Sequence, residues 1–167
     1  MSDFLMSCSC KGRRPKYVAS SATHSRPHLI ADLLRSRDVA RFLVAPTGFG
    51  KSTVAAEYAQ VVFSFRQTFW VNCESPCFLR DLDAGIIASR VAEIGGAGSL
   101  VVFDDLPRMD ASRVEVFSEV VDELLAAGSE VLVTCTPTCD AYSDLHRDRV
   151  KLSARRFLLT DDEMKHT

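Results

Sequence analysis

Residues 43–53 read LVAPTGFGKST, with two glycines, a lysine and two adjacent hydroxyls directly behind a run of apolar residues. The overlapping RFLVA (41–45) is short and apolar and is followed by Pro46 and Gly48, which predicts a buried β-strand. The following KSTVAAEYAQVVF (51–63) is rich in alanine and has apolar residues at helical spacing, which predicts an α-helix. The chain therefore places its most flexible residues where a strand passes into a helix.

This segment matches the phosphate-binding loop pattern G-x-x-x-x-G-K-[ST], except that Ala45 holds the first position. Glycines adopt backbone angles that other residues avoid, and they let several main-chain N–H groups turn toward a phosphate. The start of the helix adds unpaired N–H groups and the positive end of its dipole. We expect Lys51 to be a catalytic residue that binds the β- and γ-phosphates, Ser52 to bind Mg²⁺, and Thr53 to reach the α-phosphate. The loop residues expected to bind the nucleotide are Pro46, Thr47, Gly48, Phe49, Gly50, Lys51, Ser52 and Thr53.

A second apolar run, SLVVFDD (99–105), ends in two carboxylates and predicts another strand. Ligands of open α/β folds bind at the carboxyl edge of the sheet, where Asp104 and Asp105 would lie. We expect Asp104 to hold Mg²⁺, mostly through water. Asp105 is the candidate catalytic residue that orients or deprotonates an attacking water. The alternative is that both acids only cap the loop and the following turn.

The run EVLVTCT (130–136) predicts a further strand, closed by Pro137. If the sheet is wound as in other phosphate-loop nucleotidases, this strand lies between the loop strand and the strand that ends in Asp104. Thr134, Cys135 or Thr136 would then face the γ-phosphate, and Thr134 is the catalytic candidate among them. A threonine chosen for its strand propensity explains the pattern equally well.

Strands and helices alternate along the rest of the chain. QTFWVNC (67–73) predicts a strand and RVKLSA (149–154) a short fifth one. We expect helices within 24–38, in 78–96 as one continuous helix, and in 110–128, where Asp110 or Ser112 can cap the first turn. The alternation predicts an α/β fold, a three-layer α/β/α sandwich around a mostly parallel sheet of about five strands. We expect this domain to span 21–167 and to follow a flexible tail, 1–20.

Composition narrows the classes of function. The chain has 167 residues, 47% of them hydrophobic and 25% charged, which is typical of one globular domain. Its net charge of −2 does not favour direct nucleic-acid binding, and no apolar run is long enough for a membrane helix. The first twenty residues lack the pattern of a secretory signal. The six cysteines therefore predict reduced thiols in a cytoplasmic protein, and their spacing does not favour a zinc site.

The last ten residues, LLTDDEMKHT, contain Thr160-x-x-Glu163, a capping-box pattern that predicts the start of a helix. Since the sequence stops four residues later, we expect that the chain was cut at the beginning of a further element. A frayed tail is the alternative.

Taken together, these segments resemble the STAND class of ATPases, a branch of the AAA+-like NTPases. The likeness is to the ATPase module of large LuxR-type, maltose-activator-like bacterial transcription regulators. It rests on HSRPHLI…LVAPTGFGKSTVAAEYA, TFWVNCES, LVVFDDL, VLVTCTP and FLLTDDEM, in that order, and covers about His24 to Met164. The resemblance implies that Arg26 and Pro27 lie near the adenine. It also implies an arginine after the fourth strand, where this chain has Thr136, a departure that weakens the expectation of rapid hydrolysis.

The function that follows from the resemblance is an ATP- and Mg²⁺-dependent switch that hydrolyses ATP slowly. ATP/ADP exchange would control self-association through lid and effector domains that this chain lacks, and DNA binding would lie in one of those domains. Two alternatives stay open. One is a small-molecule or nucleoside kinase, whose arginines would come from RDLDAGIIASR or HRDRVKLSARR. The other is a non-hydrolysing module that binds nucleotide only as part of its structure.

Overall fold

The computed structural model describes residues 26–63, 67–94, 96–139 and 149–157. Helices and strands alternate along these ranges as the sequence predicts. The elements in chain order are α1 (Pro27–Leu34), β1 (Ala40–Val44), α2 (Lys51–Phe63), β2 (Thr68–Asn72), α3 (Phe78–Asp83), α4 (Ile86–Ile94), β3 (Leu100–Asp104), α5 (Ala111–Ala126), β4 (Glu130–Cys135) and β5 (Arg149–Leu152). Short 3-10 turns follow β4 at Pro137–Cys139 and β5 at Ala154–Phe157.

The five strands form one parallel sheet in the order β2-β3-β4-β1-β5. The strand that carries Thr134 therefore lies between the strand that leads into the loop and the strand that ends in Asp104. This confirms the strand order expected from the sequence. Because all strands run the same way, their carboxyl ends meet at one edge, and the loop, the acids and Thr134 all lie there.

Successive residues of each strand point to opposite faces of the sheet, and both faces are covered by helices. Phe42, Val101 and Val133 belong to a core shared with α3, α4 and α5. Leu43, Val102 and Leu132 belong to the opposite core, which they share with α1 and α2. Burial on both faces explains why the strands are apolar throughout, and it confirms the predicted three-layer sandwich.

The prediction of one continuous helix for residues 78–96 was wrong, because the described residues of this stretch form two helices, α3 and α4. The break falls at Ala84 and Gly85, and Gly85 has a φ of +74°, a left-handed conformation that ends a helix. The break shifts the phase of the second helix, so that Ile87 is fully buried whereas Ile86 is only half-buried. The sequence signal for this break is the glycine between two stretches of one apolar periodicity.

Several predictions fall outside the described residues. The tail 1–20 and the capping box Thr160–Glu163 are among them, and they stay predictions. Within the described ranges, no helix is long and apolar enough to cross a membrane. The four cysteines that the structure describes, Cys73, Cys77, Cys135 and Cys139, are not paired in disulfide bonds.

Candidate functional site

The loop between β1 and α2 has the backbone that its glycines predict. Gly48 has a φ of +90° and Gly50 a φ of +83°, both in the region that favours glycine. The main chain of α2 begins at Lys51, and the N–H of Val54 donates to the carbonyl of Gly50 at 3.0 Å. The first N–H groups of α2 therefore have no partner within the helix and are available to a ligand at this edge.

The side chain of Lys51 lies under the loop and is only 6% exposed. Its ammonium Nζ donates to the carbonyl oxygens of Ala45 at 2.7 Å and Pro46 at 3.2 Å. These contacts hold a full positive charge at the start of α2, where the dipole of the helix is also positive. Both features favour an anion in the space above the loop.

A chain of hydrogen bonds links the loop to the ends of β3 and β4. The hydroxyl of Ser52 donates to Oδ1 of Asp104 at 2.7 Å, and the hydroxyl of Thr134 donates to the same oxygen at 2.7 Å. Asp104 is 3% exposed and Thr134 is fully buried. The two hydroxyls thus hold the Asp104 carboxylate in one position beside the loop.

Asp105, the second acid of the pair, has an unusual backbone. Its φ is +57°, a left-handed conformation that is uncommon outside glycine and is best tolerated by Asn and Asp. The N–H of Asp105 donates to the hydroxyl of Thr134 at 2.8 Å, and the N–H of Leu106 donates to the carbonyl of Thr134 at 2.9 Å. The end of β4 therefore fixes the turn that carries Asp105.

The loop and Asp105 enclose a cavity of about 380 Å³. This volume is within the range of small-ligand sites. The residues that line it are Thr47, Gly48, Gly50, Lys51, Ser52, Thr53, Glu74 and Asp105. All but Glu74 were expected from the sequence. Glu74 was not predicted; the sequence signal for it is its place directly after the predicted strand 67–73.

A second cavity of about 390 Å³ adjoins the first. The two share Thr47, Glu74 and Asp105, which lie at their junction. The walls of the second cavity come from the segments that follow β2, β3 and β4. They are Cys73, Ser75, Pro76, Leu79, Leu106, Pro107, Thr136 and Cys139. Thr136, the position where the resemblance implies an arginine, belongs to this second cavity.

Arg26 contacts the loop from its outer side. Its guanidinium Nη1 donates to the carbonyl of Phe49 at 2.8 Å, and the guanidinium lies over the ring of Phe157, with Cζ 5.8 Å from the ring centroid. Its Nε is buried, and no hydrogen-bond partner for it occurs in the part of the chain that the structure describes. Pro27 begins α1 next to it. The expectation that Arg26 and Pro27 lie near an adenine stays a prediction.

The donor atoms at the junction of the loop and β3 fit a magnesium ion. Ser52 Oγ and Asp104 Oδ1 are hard oxygen donors 2.7 Å apart, beside the cavity that the loop lines. Mg²⁺ is usually held by one or two protein oxygens, with phosphate oxygens and waters as the other ligands. Among the described residues, no group of three or more His, Cys, Asp or Glu could hold a metal by itself. The other ligands of a magnesium at these two oxygens would be waters or the oxygens of a bound phosphate.

The strand order, the glycine loop between β1 and α2, and the acids that end β3 define the α/β fold of the P-loop NTPases. Comparisons with solved structures show the same fold in other proteins. The DnaC helicase loader superposes with a TM-score of 0.53 at 11% sequence identity, covering 85% of this chain and 95% of that one. A DNA replication initiation factor superposes with a TM-score of 0.55 at 10% identity, covering 84% of this chain and 50% of that one.

These likenesses show the fold alone, because the identities are so low. No protein-family model matches the sequence, and no curated protein matches it.

Proposed function

We propose that the chain is a nucleotide-binding module that binds Mg-ATP at the loop of residues 46–53 and hydrolyses it slowly. The observation that carries this proposal is the hydrogen bond between Ser52 and Asp104. It brings a hydroxyl of the loop to a carboxylate from a strand two positions away in the sheet. A glycine turn that contained a lysine by accident would not require such a partner.

Each group then has a distinct role. Lys51 exchanges its two carbonyl contacts for the β- and γ-phosphates, and the N–H groups of the loop bind the β-phosphate. Ser52 and Asp104 hold Mg²⁺, which would neutralise part of the phosphate charge when bound. Asp105 orients or deprotonates the water that attacks the γ-phosphate. Thr134 keeps both acids in position, and its contact with the γ-phosphate stays a prediction.

The experiment that tests this proposal compares melting temperatures with and without Mg-ATP. A ligand at a thousand times its Kd stabilises the folded state by about 4 kcal/mol, roughly 10 °C for a domain of this size. We expect such a rise for the wild-type chain and none for Lys51→Ala. The matched control is Lys151→Ala on β5, an exposed lysine that should keep the rise. An unchanged melting temperature at millimolar Mg-ATP in the wild-type chain would contradict nucleotide binding.

We further propose that this module is the switch of a bacterial signal-responsive regulator of the LuxR type. The support is the order of sequence segments from His24 to Met164, which resembles that of such regulators. Nucleotide exchange would act through the difference in affinity between two arrangements of attached domains. Sedimentation of the whole gene product with ATP and with ADP tests this role, because an identical assembly state in both would contradict it.

The second cavity favours one alternative, a small-molecule kinase. It adjoins the expected position of the terminal phosphate and is large enough for an acceptor. Transfer of labelled phosphate from ATP to an acceptor in a metabolite mixture, rather than to water, would decide for the kinase.

A further inference from the structure

Two carboxylates, those of Glu74 and Asp105, line the cavity above the loop. The last pair of β2 and β3 is Asn72 with Asp104, and the N–H of Cys73 donates to the carbonyl of Asp104 at 2.9 Å. Asp105 is the first residue after this pair on β3 and Glu74 the second after it on β2, so both lie just past the same edge of the sheet. Both residues line both cavities, together with Thr47 of the loop.

The charges around the first cavity are arranged on opposite sides. Lys51 and the N–H groups of the loop lie on the side of β1 and α2, where they favour phosphate. Glu74 and Asp105 lie on the side of β2 and β3, where a carboxylate is repelled by phosphate oxygens at short range. The interaction of a carboxylate with a nearby phosphate becomes favourable when a neutral hydrogen-bond donor, such as a water, lies between the two groups.

Asp105 alone is poorly suited to reach such a water. Its backbone is fixed in a left-handed turn by the hydroxyl and the carbonyl of Thr134. Its side chain is also one methylene shorter than that of glutamate. Glu74 is exposed and follows a turn in which the N–H of Ser75 donates to the carbonyl of Asn72 at 3.2 Å. Its longer side chain therefore starts outside the sheet, at the junction with the second cavity through which water can enter.

We propose that Glu74 is a further catalytic residue, which holds the attacking water together with Asp105. This inference rests on the proposed nucleotide hydrolysis at the same site. In the step, the water oxygen forms a bond to the γ-phosphorus while the bond from that phosphorus to the bridging β-phosphate oxygen breaks. The water proton passes to the Glu74 carboxylate and then to solvent, and the products are ADP and inorganic phosphate.

The test compares Glu74→Gln and Glu74→Asp with Glu119→Gln, an exposed position on α5 that serves as the matched control. Two quantities are measured for each: the rate of phosphate release in a single turnover with Mg-ATP, and the ratio of the Kd for ADP to the Kd for ATP by calorimetry. Melting temperatures without nucleotide show whether each variant is folded. The ratio is the readout that a merely structural role would not change.

For Glu74→Gln we expect the rate to fall about a hundredfold, as when a general base is removed. We also expect the preference for ATP over ADP to rise at least about threefold, because a negative charge near the γ-phosphate is lost. Glu74→Asp should keep the wild-type preference and an intermediate rate, and Glu119→Gln should match the wild type in both.

A Glu74→Gln variant with the wild-type rate, or with the wild-type ratio, overturns the role of Glu74. A wild-type chain that binds ATP without releasing phosphate overturns both the role of Glu74 and the hydrolysis in the proposed function. Failure of the proposed nucleotide binding looks different, since the wild-type chain would then show no thermal shift with either nucleotide. That result would remove the Glu74 inference as well.

Discussion

Gly48 and Gly50 have similar backbone angles, but their surroundings differ. A Cβ added at Gly48 would meet no atom within 4 Å, whereas a Cβ at Gly50 would lie 2.8 Å from Nη1 of Arg26. That same nitrogen donates to the carbonyl of Phe49. There are therefore two reasons to expect a cost of substitution at Gly50, its left-handed backbone and the close approach of the Arg26 side chain, and only the first could be read from the sequence.

Replacing each glycine by alanine separates the two reasons. Both substitutions should lower the free energy of unfolding by about 1–2 kcal/mol, because alanine is strained at these φ angles. Gly50→Ala should cost about 1 kcal/mol more, since Arg26 must leave its hydrogen bond. Urea denaturation of both variants measures the difference.

The control is a double-mutant cycle with Arg26→Ala. In that background, Gly50→Ala should cost the same as Gly48→Ala, because the extra term depends on the arginine. Equal costs of the two glycine substitutions in the wild-type background would contradict the contact.

At the scale of single elements, α5 is the helix whose ends the sequence specifies best. Asp110 has an extended backbone, with a φ of −73° and a ψ of 170°, and its side chain accepts a hydrogen bond from the N–H of Arg113 at 3.0 Å. The N-cap is thus Asp110 rather than Ser112, whose hydroxyl donates to the Asp110 carboxylate at 2.9 Å. The Arg113 side chain also contacts Asp83 at the end of α3. The first turn of α5 therefore holds α3 in place as well.

We predict that Asp110→Ala lowers the urea concentration at the midpoint of denaturation at pH 7. Asp110→Asn can still cap the helix, so its midpoint should stay close to that of the wild type. The Arg113 N–H and then the Ser112 hydroxyl hold the pKa of Asp110 below its ordinary value. A lowered folded-state pKa means that the stabilisation is fully present above about pH 4, the ordinary value, and is lost as the pH falls through the folded-state pKa.

The difference in denaturation midpoint between the wild type and Asp110→Ala should therefore be constant from pH 7 to pH 5, and it should become smaller below about pH 4. Midpoints measured across this range check the prediction. A difference that grew on acidification would show that the Asp110 carboxylate does not stabilise the helix.

At the scale of the whole molecule, a buried ionic network joins the amino ends of the central strands to both helices of one face. Arg41 on β1 is fully buried, and its guanidinium donates to Oε1 of Glu130 at 2.9 Å, to the Tyr58 hydroxyl at 2.9 Å and to the Leu33 carbonyl at 2.7 Å. Burial raises the pKa of Tyr58 above its ordinary value, and its hydroxyl donates to Oε1 of Glu130. Arg37 completes the network at the other oxygen of Glu130.

We predict that Glu130→Gln lowers the free energy of unfolding by about 3 kcal/mol, because it leaves the buried Arg41 charge without its partner. Arg37, whose side chain is 49% exposed, should matter much less. Its replacement by glutamine should cost at most about 1 kcal/mol, as for other exposed ion pairs. Denaturation of the two variants measures both costs, and equal costs would contradict the distinction between the buried and the exposed arginine.

Local order was determined by the sequence alone. The apolar runs predicted the strands because a doubly covered sheet requires burial on both faces, and the loop pattern predicted the backbone between β1 and α2. Lys51, Ser52 and Asp104 could therefore be placed at one edge of the sheet from the sequence, whereas their roles toward a phosphate stay predictions. The position of Thr134 followed once the order of strands was assumed.

The tertiary structure decided what depends on residues far apart in the chain. The contact of Arg26 with the loop, the pairing of Arg41 with Glu130, and the place of Glu74 beside Asp105 join positions 23 to 89 residues apart. No periodicity or motif in the sequence predicts which of these distant residues meet, because this depends on how the strands, helices and loops pack together. The break at Gly85 was also decided there, since the same apolar spacing fits one helix or two until packing against the sheet selects the phase.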